Sequence, residues 1–593
     1  MNSILARRYE RVVGLVGVAA FASLTATLLG TTAVEAQMSR SVQRYVPPIV
    51  RTDGGGAIRA TDATPARSAA ERDRLLVPQV RGVVIVDQVS SVKKSGLKAE
   101  GVVVRTAPDA VPPEVVEAAE RHVGRAATLG SLDDLSREMV VAFRRSDRPV
   151  VNVVIPEQEI TGGVIQVLVV VGRLGRVSVE GASTDPAAIV SEVGLVAGEP
   201  ISEGQLLDDL RYLNRNPFRR VDALYQPGKS FGQTDVVLQV ADDKPWAVYA
   251  GAESKGGRGP LGPTRIFEGA MAHDLFGFGE TIGYQLTHAP DIQKLQSHMV
   301  SLALPLAYRW DLQLVGGYSS ARIPLPGGPA KQNGENYIAG AYLGHALPHF
   351  GTWSHGIRFG AEFKSTNNDL DFSGTTVATQ TPDIVQAVFG YSGETTSWLG
   401  KTRFEANVYG SPGGVTPNNS NAAFDALRKG AKAGYTYVRA GLNQRVDLPY
   451  DFRLLATIEG QWANTNLLPT ETFSLGGMGS VRGFAYGIAR ADSGVTANFT
   501  FYTPGTAVFG GTLTDEVQDQ LRAYAFLDHG AGWVHTPLPG EKRRVDLTAA
   551  GVGLTYEVAK FANVDFGYGW HLGKTGITDN SNGSFFGRVV VRY

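Results

Sequence analysis

The chain has 593 residues, too many for one compact domain, and its formal net charge of -1 lacks the basic excess that nucleic-acid binding requires. Charged residues make up only 19% of the chain, glycine is abundant with 71 residues, and cysteine is absent. These values exclude disulfides, thiol nucleophiles and zinc–thiolate sites, and they are unusual for a soluble enzyme.

The first 36 residues have the three parts of a secretory signal peptide. Three arginines within the first eleven residues supply positive charge, an uncharged apolar run follows, and the small residues Val34 and Ala36 precede a cleavage site at Gln37. We expect residues 1–36 to be a signal peptide, with a retained membrane anchor as the alternative. No later segment has 18 or more consecutive apolar residues, so we expect no further spanning helix.

Residues 37–76 are a connecting segment by composition. They contain "PP" and "DGGG", which are typical of linkers, and they end in "TPARSAAERDRLL", a mixture that favours helix. We predict a short helix here, followed by an extended linker.

Two tandem modules follow, each predicted to have the order β-α-α-β-β. In the first, residues 77–172, strand-like runs flank two helices, and the second helix has Ser131 as its predicted N-cap. Apolar side chains of that helix share one face: Leu132, Leu135, Met139 and Phe143. The second module, residues 173–243, repeats the order at smaller size.

Beyond Pro245 helical periodicity ends, and segments of about ten residues alternate apolar and polar side chains between turns. In "WDLQLVGGYSS", Leu312 and Leu314 lie on one face of the predicted strand, and Asp311 and Gln313 lie on the other. The chain ends in a similar segment, whose last residue is aromatic.

This alternation predicts a transmembrane β-barrel over residues 244–593, with a polar lumen and an apolar outer face. A closed barrel is the only sheet that pairs all of its backbone groups within lipid. At about 22 residues per strand and turn, the segment accommodates about sixteen strands. The predicted fold class is therefore mainly β, with the barrel preceded by two small α+β modules. A soluble β-domain is the alternative.

Motifs for enzymatic chemistry are incomplete. Three Gly-Lys-Ser/Thr tripeptides could suggest a phosphate-binding loop, but the glycine needed five positions earlier is replaced by Ala223, Thr395 and Tyr568. No histidine precedes a glutamate as in a zinc-protease helix, and no acid/base pair of carboxylates is evident. We therefore expect no enzymatic activity, no metal and no cofactor.

The sequence resembles the outer-membrane transporters of two-partner secretion, the haemolysin secretion/activation type, from about residue 77 to the end. The first module contains "RPVVNVVIPEQEITGGVIQVLVVVGRLGRVSVEG", which follows the family's polypeptide-transport-associated (POTRA) pattern. In the barrel, "SVRGF" resembles the tip of the family's inward loop, and "YAFLDHGAGW" resembles its F-x-D-x-G strand motif.

The resemblance implies export of an unfolded exoprotein across the outer membrane of a Gram-negative bacterium. The POTRA domains would capture the exoprotein's N-terminal secretion domain in the periplasm, and a helix within residues 37–76 would plug the barrel. The other implied partners are outer-membrane lipids, lipopolysaccharide and the barrel-assembly machinery, but not nucleic acid, and the protein is expected to be a monomer. An assembly factor for other barrels and a passive porin are the alternatives.

The resemblance also implies a latch in which Arg482 of the inward loop pairs with Asp528 of the barrel wall. The predicted latch residues are Val481, Arg482, Gly483 and Phe484 on the loop and Phe526, Asp528 and Gly530 on the wall. A solvated surface loop is the alternative for Arg482.

Partner binding is expected by addition of a strand to an exposed sheet edge in the first module. The predicted edge residues are Val164, Ile165, Val167, Val169 and Val171.

Overall fold

The computed structural model describes residues 58–59, 72–106, 110–181, 186–214, 216, 218–242, 244–254, 263–324, 330–350, 352–372, 375–509, 518–559, 561–573 and 581–593. The signal peptide and most of the predicted plug segment lie outside these residues. The chain divides into two compact units, Gly54–Asp243 and a second that contains Lys244–Tyr593. Within the described ranges, no helix has both the length and the hydropathy to cross a membrane.

The first module has more strands than the sequence predicts. The short strand β1 (Ile58–Arg59) precedes it in the chain. Its elements are β2 (Leu75–Val77), β3 (Gly82–Val86), a 3-10 turn (Val89–Ser91), β4 (Gly101–Arg105), α1 (Pro113–Glu120), β5 (Ala127–Thr128), α2 (Leu129–Arg145), β6 (Val151–Val154) and β7 (Val164–Val171). The predicted helix before residue 77 ends earlier than expected: Arg72 is helical, but Leu75 and Leu76 belong to strand β2, which pairs with β5.

Helix α2 begins three residues earlier than predicted. Thr128, not Ser131, is the N-cap: its side chain accepts a hydrogen bond from the Ser131 amide at 3.1 Å, and Ser131 Oγ accepts one from the Thr128 amide at 2.8 Å. This reciprocal pair satisfies two amides that the first helical turn leaves unpaired. The apolar face is as predicted, with Leu135, Met139 and Phe143 buried against the sheet.

The four-stranded sheet of this module corrects the predicted partner-binding edge. Its strand order is β4-β3-β7-β6, so the strand that contains Val164, Ile165, Val167, Val169 and Val171 has a neighbour on both sides. An almost continuous apolar run is typical of such a central strand, because both of its faces are covered. The edges are β4 and β6.

The second module has the predicted order. It consists of β8 (Arg173–Glu180), α3 (Pro186–Ser191), α4 (Glu203–Leu213), β9 (Arg219–Pro227) and β10 (Gln233–Asp242). The sheet order is β1-β9-β10-β8, with α3 and α4 packed over the sheet around Leu206 and Leu210.

The remaining chain forms a closed antiparallel barrel, which confirms the predicted fold class. Its elements are β11 (Trp246–Ser254), β12 (Thr264–His273), β13 (Thr281–His288), β14 (Leu295–Ala307), β15 (Trp310–Pro324), β16 (Ala330–Phe350), β17 (Trp353–Phe372), β18 (Thr375–Gln380), β19 (Asp383–Ser397), β20 (Gly400–Pro412), α5 (Asn421–Leu427), β21 (Gly434–Asp447), a 3-10 turn (Pro449–Asp451), β22 (Arg453–Ala463), β23 (Phe473–Leu475), β24 (Ala489–Ala491), β25 (Ser493–Tyr502), β26 (Asp519–Trp533), β27 (Arg544–Val558), β28 (Ala562–His571) and β29 (Gly583–Arg592).

Sixteen strands make up the barrel wall. Segments β18 and β19 pair with β17 in one continuous register, Asn368 with Gln380 and Ser365 with Asp383, and so act as one interrupted strand. The short hairpin β23–β24 forms a separate two-stranded sheet and is not part of the wall. Pairing of β29 with β11 closes the cylinder, so no wall strand is left with an open edge.

The alternation read from the sequence matches the two faces of the wall. Gln313 faces the lumen and is 2% exposed, whereas Leu314 faces outward and is 38% exposed. The first and last strands bring both ends of the barrel segment to one rim, where the Val248 amide donates to the Tyr593 carbonyl at 3.1 Å. We call this the terminal rim and the other the far rim.

Candidate functional site

The segment that joins β22 to β25 at the far rim, residues 464–492, turns back into the lumen. We call it the inward loop. Its hairpin pairs Phe473 with Ala491. Phe473, Val481 and Phe484 pack with the lumen-facing Leu547 of β27 and are buried. The loop is therefore packed against the inside of the wall and does not project into solvent.

At the tip of this loop the structure brings Arg482 and Asp528 together. Arg482 Nε donates to Asp528 Oδ2 at 2.8 Å and Nη2 donates to Oδ1 at 2.7 Å, while the Arg482 amide donates to Oδ2 at 2.9 Å. The Asp528 side chain is fully buried, and Arg482 Nη2 also donates to Thr500 Oγ1 at 2.8 Å. A planar guanidinium can grip a carboxylate in this two-point way, whereas a lysine cannot.

The environment of Arg482 keeps it charged. Burial opposes the charge, but the hydrogen bonds to Asp528 and its negative charge outweigh this and raise the pKa of Arg482 above its usual value. The guanidinium carbon also lies 3.8 Å from the centre of the Phe526 ring, close enough for a cation–π contact.

Two glycines make the close packing of the tip possible. Gly483 has a φ of 90°, and a Cβ there would lie 2.6 Å from the Gly569 carbonyl oxygen. A Cβ on Gly530 would lie 2.8 Å from Val481 Cγ2. Either side chain would have to displace the loop or the wall.

Sequence reasoning missed two residues that hold the tip from its other side. His571 Nε2 and Ser584 Oγ both donate to the Gly483 carbonyl, at 2.8 and 2.7 Å. A carbonyl oxygen only accepts, so Nε2 of His571 carries the proton. The His571 ring also stacks on Phe484, with ring centres 3.6 Å apart. Nothing in the local sequence distinguishes His571 from the other nine histidines.

A second missed anchor lies at the base of the inward loop, where Glu471 reaches β17, β19 and β21. Glu471 is fully buried, and Lys364 Nζ approaches it at 3.0 Å while also pairing with Glu362 at 2.7 Å. Tyr437 donates its hydroxyl to Glu471 at 2.5 Å, and Gln386 donates at 3.2 Å.

The charge on Glu471 is strongly favoured. Burial alone would raise the pKa of this carboxyl. The positive charges of Lys364 and Arg439 outweigh that effect and hold the pKa of Glu471 at about 2. Arg439 Nη2 also donates to the Glu471 carbonyl at 2.8 Å. The inward loop is thus attached at its base and at its tip to widely separated parts of the wall.

Residues 232–556, more than half of the chain, match the family described as haemolysin secretion/activation protein ShlB/FhaC/HecB. The chain belongs to this family. It is accordingly an outer-membrane transport protein of two-partner secretion, with its POTRA domains in the periplasm and a secreted protein as its partner. The family is one of transporters and not of enzymes. The match favours export over assembly of other barrels or passive diffusion.

Individual members of the family agree with this assignment. The chain is 22% identical over 528 residues to the heme/hemopexin transporter protein HuxB of Haemophilus influenzae, covering 87% of this chain and 90% of HuxB. It is 22% identical over 415 residues to the outer membrane transporter CdiB-2 of Burkholderia pseudomallei, covering 65% of each chain.

Two solved structures have the same fold. CdiB from Escherichia coli superposes with a TM-score of 0.68 at 17% identity, covering 93% of this chain and 95% of that one. CdiB from Acinetobacter baumannii superposes with a TM-score of 0.60 at 14% identity, covering 100% and 99%.

Proposed function

We propose that this transporter captures its exoprotein in the periplasm through the first POTRA domain and exports it unfolded through the barrel. The Arg482–Asp528 pair is the latch of the inward loop. The observation that carries the proposal is this buried two-point ion pair inside a closed barrel, because it fixes a loop across the route that an exported chain must take.

The domain boundaries that accompany this function are those expected from the sequence. Residues 1–36 are a signal peptide. Residues 37–76 are a plug and linker segment apart from β1 and β2, which pair with strands of the second and first POTRA modules. The POTRA domains are residues 77–172 and 173–243, and the barrel is residues 244–593. The α+β elements end with β10, and antiparallel barrel strands begin with β11. This change supports the boundary between residues 243 and 244.

The capture site is the outer edge of β4. Within the described residues β4 has β3 as its only strand neighbour, so its other edge is open. Beside it lies a groove of about 580 Å³ between β4 and α1, lined by Val104, Val116 and Glu117 among others. An extended peptide can add to such an edge through main-chain hydrogen bonds, and alternate side chains can enter the groove.

The barrel itself is proposed to act as a monomer in contact with lipids and lipopolysaccharide through its outward apolar side chains. Its aromatic C-terminus, Tyr593, is 65% exposed at the terminal rim and is available to the barrel-assembly machinery. There, Lys244 Nζ donates to the Tyr593 hydroxyl at 3.0 Å.

Secretion of a co-expressed candidate exoprotein, with and without this protein, tests the proposal. Arg482→Ala and Asp528→Ala are expected to leave the barrel assembled and to reduce secretion strongly. Removing one partner of a buried ion pair costs on the order of 3–5 kcal/mol, and less where water reaches the survivor. Secretion is measured in the medium, and assembly is measured by the heat-modifiable migration of the barrel.

Arg544→Ala is the matched control. Arg544 pairs with Asp546 at 2.6 Å, but both side chains are about half exposed, so the pair contributes little. Wild-type secretion by both latch variants would disprove the role of the latch.

A further inference from the structure

A second loop at the far rim also enters the lumen. Residues 413–433, which join β20 to β21 and contain α5, form what we call the helical loop. Phe424 of α5 is fully buried, and its ring centre lies 6.3 Å from that of Tyr435. It belongs to one buried cluster with Tyr409 and Tyr437, whose side chains face the lumen. Phe424 therefore occupies space inside the barrel.

The helical loop is bound to the wall at the start of β19. The Asp383 amide donates to the Asn418 carbonyl at 3.2 Å, and Asn419 Nδ2 donates to the Asp383 carbonyl at 2.9 Å. Thr416 Oγ1 donates to the Asp383 carboxylate at 2.8 Å. These bonds involve both backbone and side chains, so the loop has a defined position against β19.

The helical loop is also tied to the inward loop through one ion pair. Arg428 Nη1 and Nη2 donate to the two oxygens of Asp492 at 2.5 and 3.2 Å, and Nη1 also donates to the Leu467 carbonyl at 2.5 Å. Asp492 is fully buried and ends the inward loop. The Leu467 amide donates to it at 2.8 Å, as does the His535 amide from the loop between β26 and β27.

We propose that the helical loop is a second part of the export gate, and that Arg428 and Asp492 are positioning residues that tie it to the inward loop. This inference rests on the proposed function and extends it. A chain crossing the lumen needs the space that Phe424 fills, so freeing the inward loop alone would not open the route. Because Asp492 belongs to the inward loop and pairs with Arg428 of the helical loop, moving either loop alone breaks this ion pair and takes Arg428 away from the buried carboxylate.

A reversible lock provides the first test. The natural chain has no cysteine, so D383C/T416C, which replaces two side chains already in contact, creates a single possible disulfide, between the helical loop and the wall. The oxidised protein is expected to stop secreting the exoprotein, and reductant is expected to restore secretion. A406C/A440C is the control, because it joins two neighbouring wall strands that are already paired. Normal secretion through the oxidised loop–wall disulfide would overturn the proposal.

Conductance in planar bilayers provides a second test that needs no exoprotein. Arg428→Ala is expected to raise the frequency of channel opening about tenfold or more, because it removes the tie that favours the closed arrangement. Lys429→Ala is the matched control: the neighbouring lysine pairs with Asp425 within the same loop and is 69% exposed. Equal opening frequencies in Arg428→Ala, Lys429→Ala and wild type would overturn the proposal.

The two tests separate this inference from the function on which it rests. If the wild-type protein secretes and the locked protein does too, the second gate is disproved while the transporter assignment stands. If the wild-type protein secretes no candidate exoprotein, the assignment is in question, and the conductance comparison still decides whether Arg428 holds a gate.

Discussion

At the tip of the inward loop, the Asp528 carboxylate and the Gly483 carbonyl of the proposed latch each accept more than one hydrogen bond. Asp528 accepts three hydrogen bonds from Arg482, and the Gly483 carbonyl accepts two from the adjoining strands β28 and β29. Such a fully paired buried network is rigid, since moving any one group leaves others unsatisfied. Arg482 and its neighbours therefore hold the loop in one orientation.

His571 is predicted to be a positioning residue of the latch. His571→Ala removes both the hydrogen bond to Gly483 and the stacking on Phe484, and we expect it to reduce secretion and make the inward loop more accessible to protease. His571→Gln can retain a donor, and His571→Phe can retain the stacking, so each is expected to restore part of the function. If all three variants behave like the wild type, His571 has no positioning role.

The inward loop as an element is predicted to remain anchored in acid. The pKa of Glu471 is held at about 2, below its ordinary value. A carboxyl with a lowered pKa stabilises the folded state above its ordinary pKa of about 4.3, and this stabilisation is lost only as the pH falls through the lowered value. Glu471 should therefore contribute equally to anchoring the loop at pH 7 and at pH 5.

Glu471→Gln, which removes the charge of this side chain, is the variant to compare with the wild type at pH 7 and pH 5. It removes the negative charge that Lys364 faces on the inward loop while the Lys364–Glu362 pair within β17 is kept, and a more mobile loop is expected at both pH values. The measurement is channel opening in planar bilayers. A difference in opening between the wild type and Glu471→Gln that is present at pH 7 and disappears at pH 5 would contradict the predicted charge on Glu471.

The two edges of the first POTRA sheet are predicted to differ in function. Val104→Asp places a charge beside the groove at β4 and is expected to weaken binding of a purified N-terminal secretion domain. Val154→Asp places the same charge on β6, the opposite edge, where Val154 is already 41% exposed, and binding is expected to be unchanged. The reverse pattern would assign capture to β6.

For the whole molecule, the division into two compact units predicts separable assembly and capture. Deleting residues 77–172 is expected to abolish exoprotein binding while the barrel still inserts, because the barrel closes through its own strands β11 and β29. Insertion is measured by heat-modifiable migration and binding by co-purification. A truncated protein that still binds the exoprotein would refute capture by this domain.

The barrel could be predicted from the sequence because its cause is local and repeated. Gln313 faces the lumen and the adjacent Leu314 faces outward, and the same alternation of polar and apolar side chains repeats along the wall. A period of two residues can be recognised without knowing which distant segments are in contact. The order of the second POTRA module was predicted for the same reason. Arg482 and Asp528, the residues of the proposed latch, can be named through the family motif, and they form an ion pair in the structure.

The identity of the sheet edges and the remaining anchors required the tertiary structure. Val164–Val171 is an apolar strand in the sequence, but only the parallel pairing with β3 makes it central. Lys364 and Glu471 are 107 positions apart, and Arg428 and Asp492 are 64 apart, so no local pattern links either pair. An alternating barrel with a motif-bearing loop follows from the amino-acid sequence alone, because alternation and motifs are local. Only the folding of distant segments into one lumen decided which charges hold that loop, since a buried charge is stable only beside the partner that the fold places there.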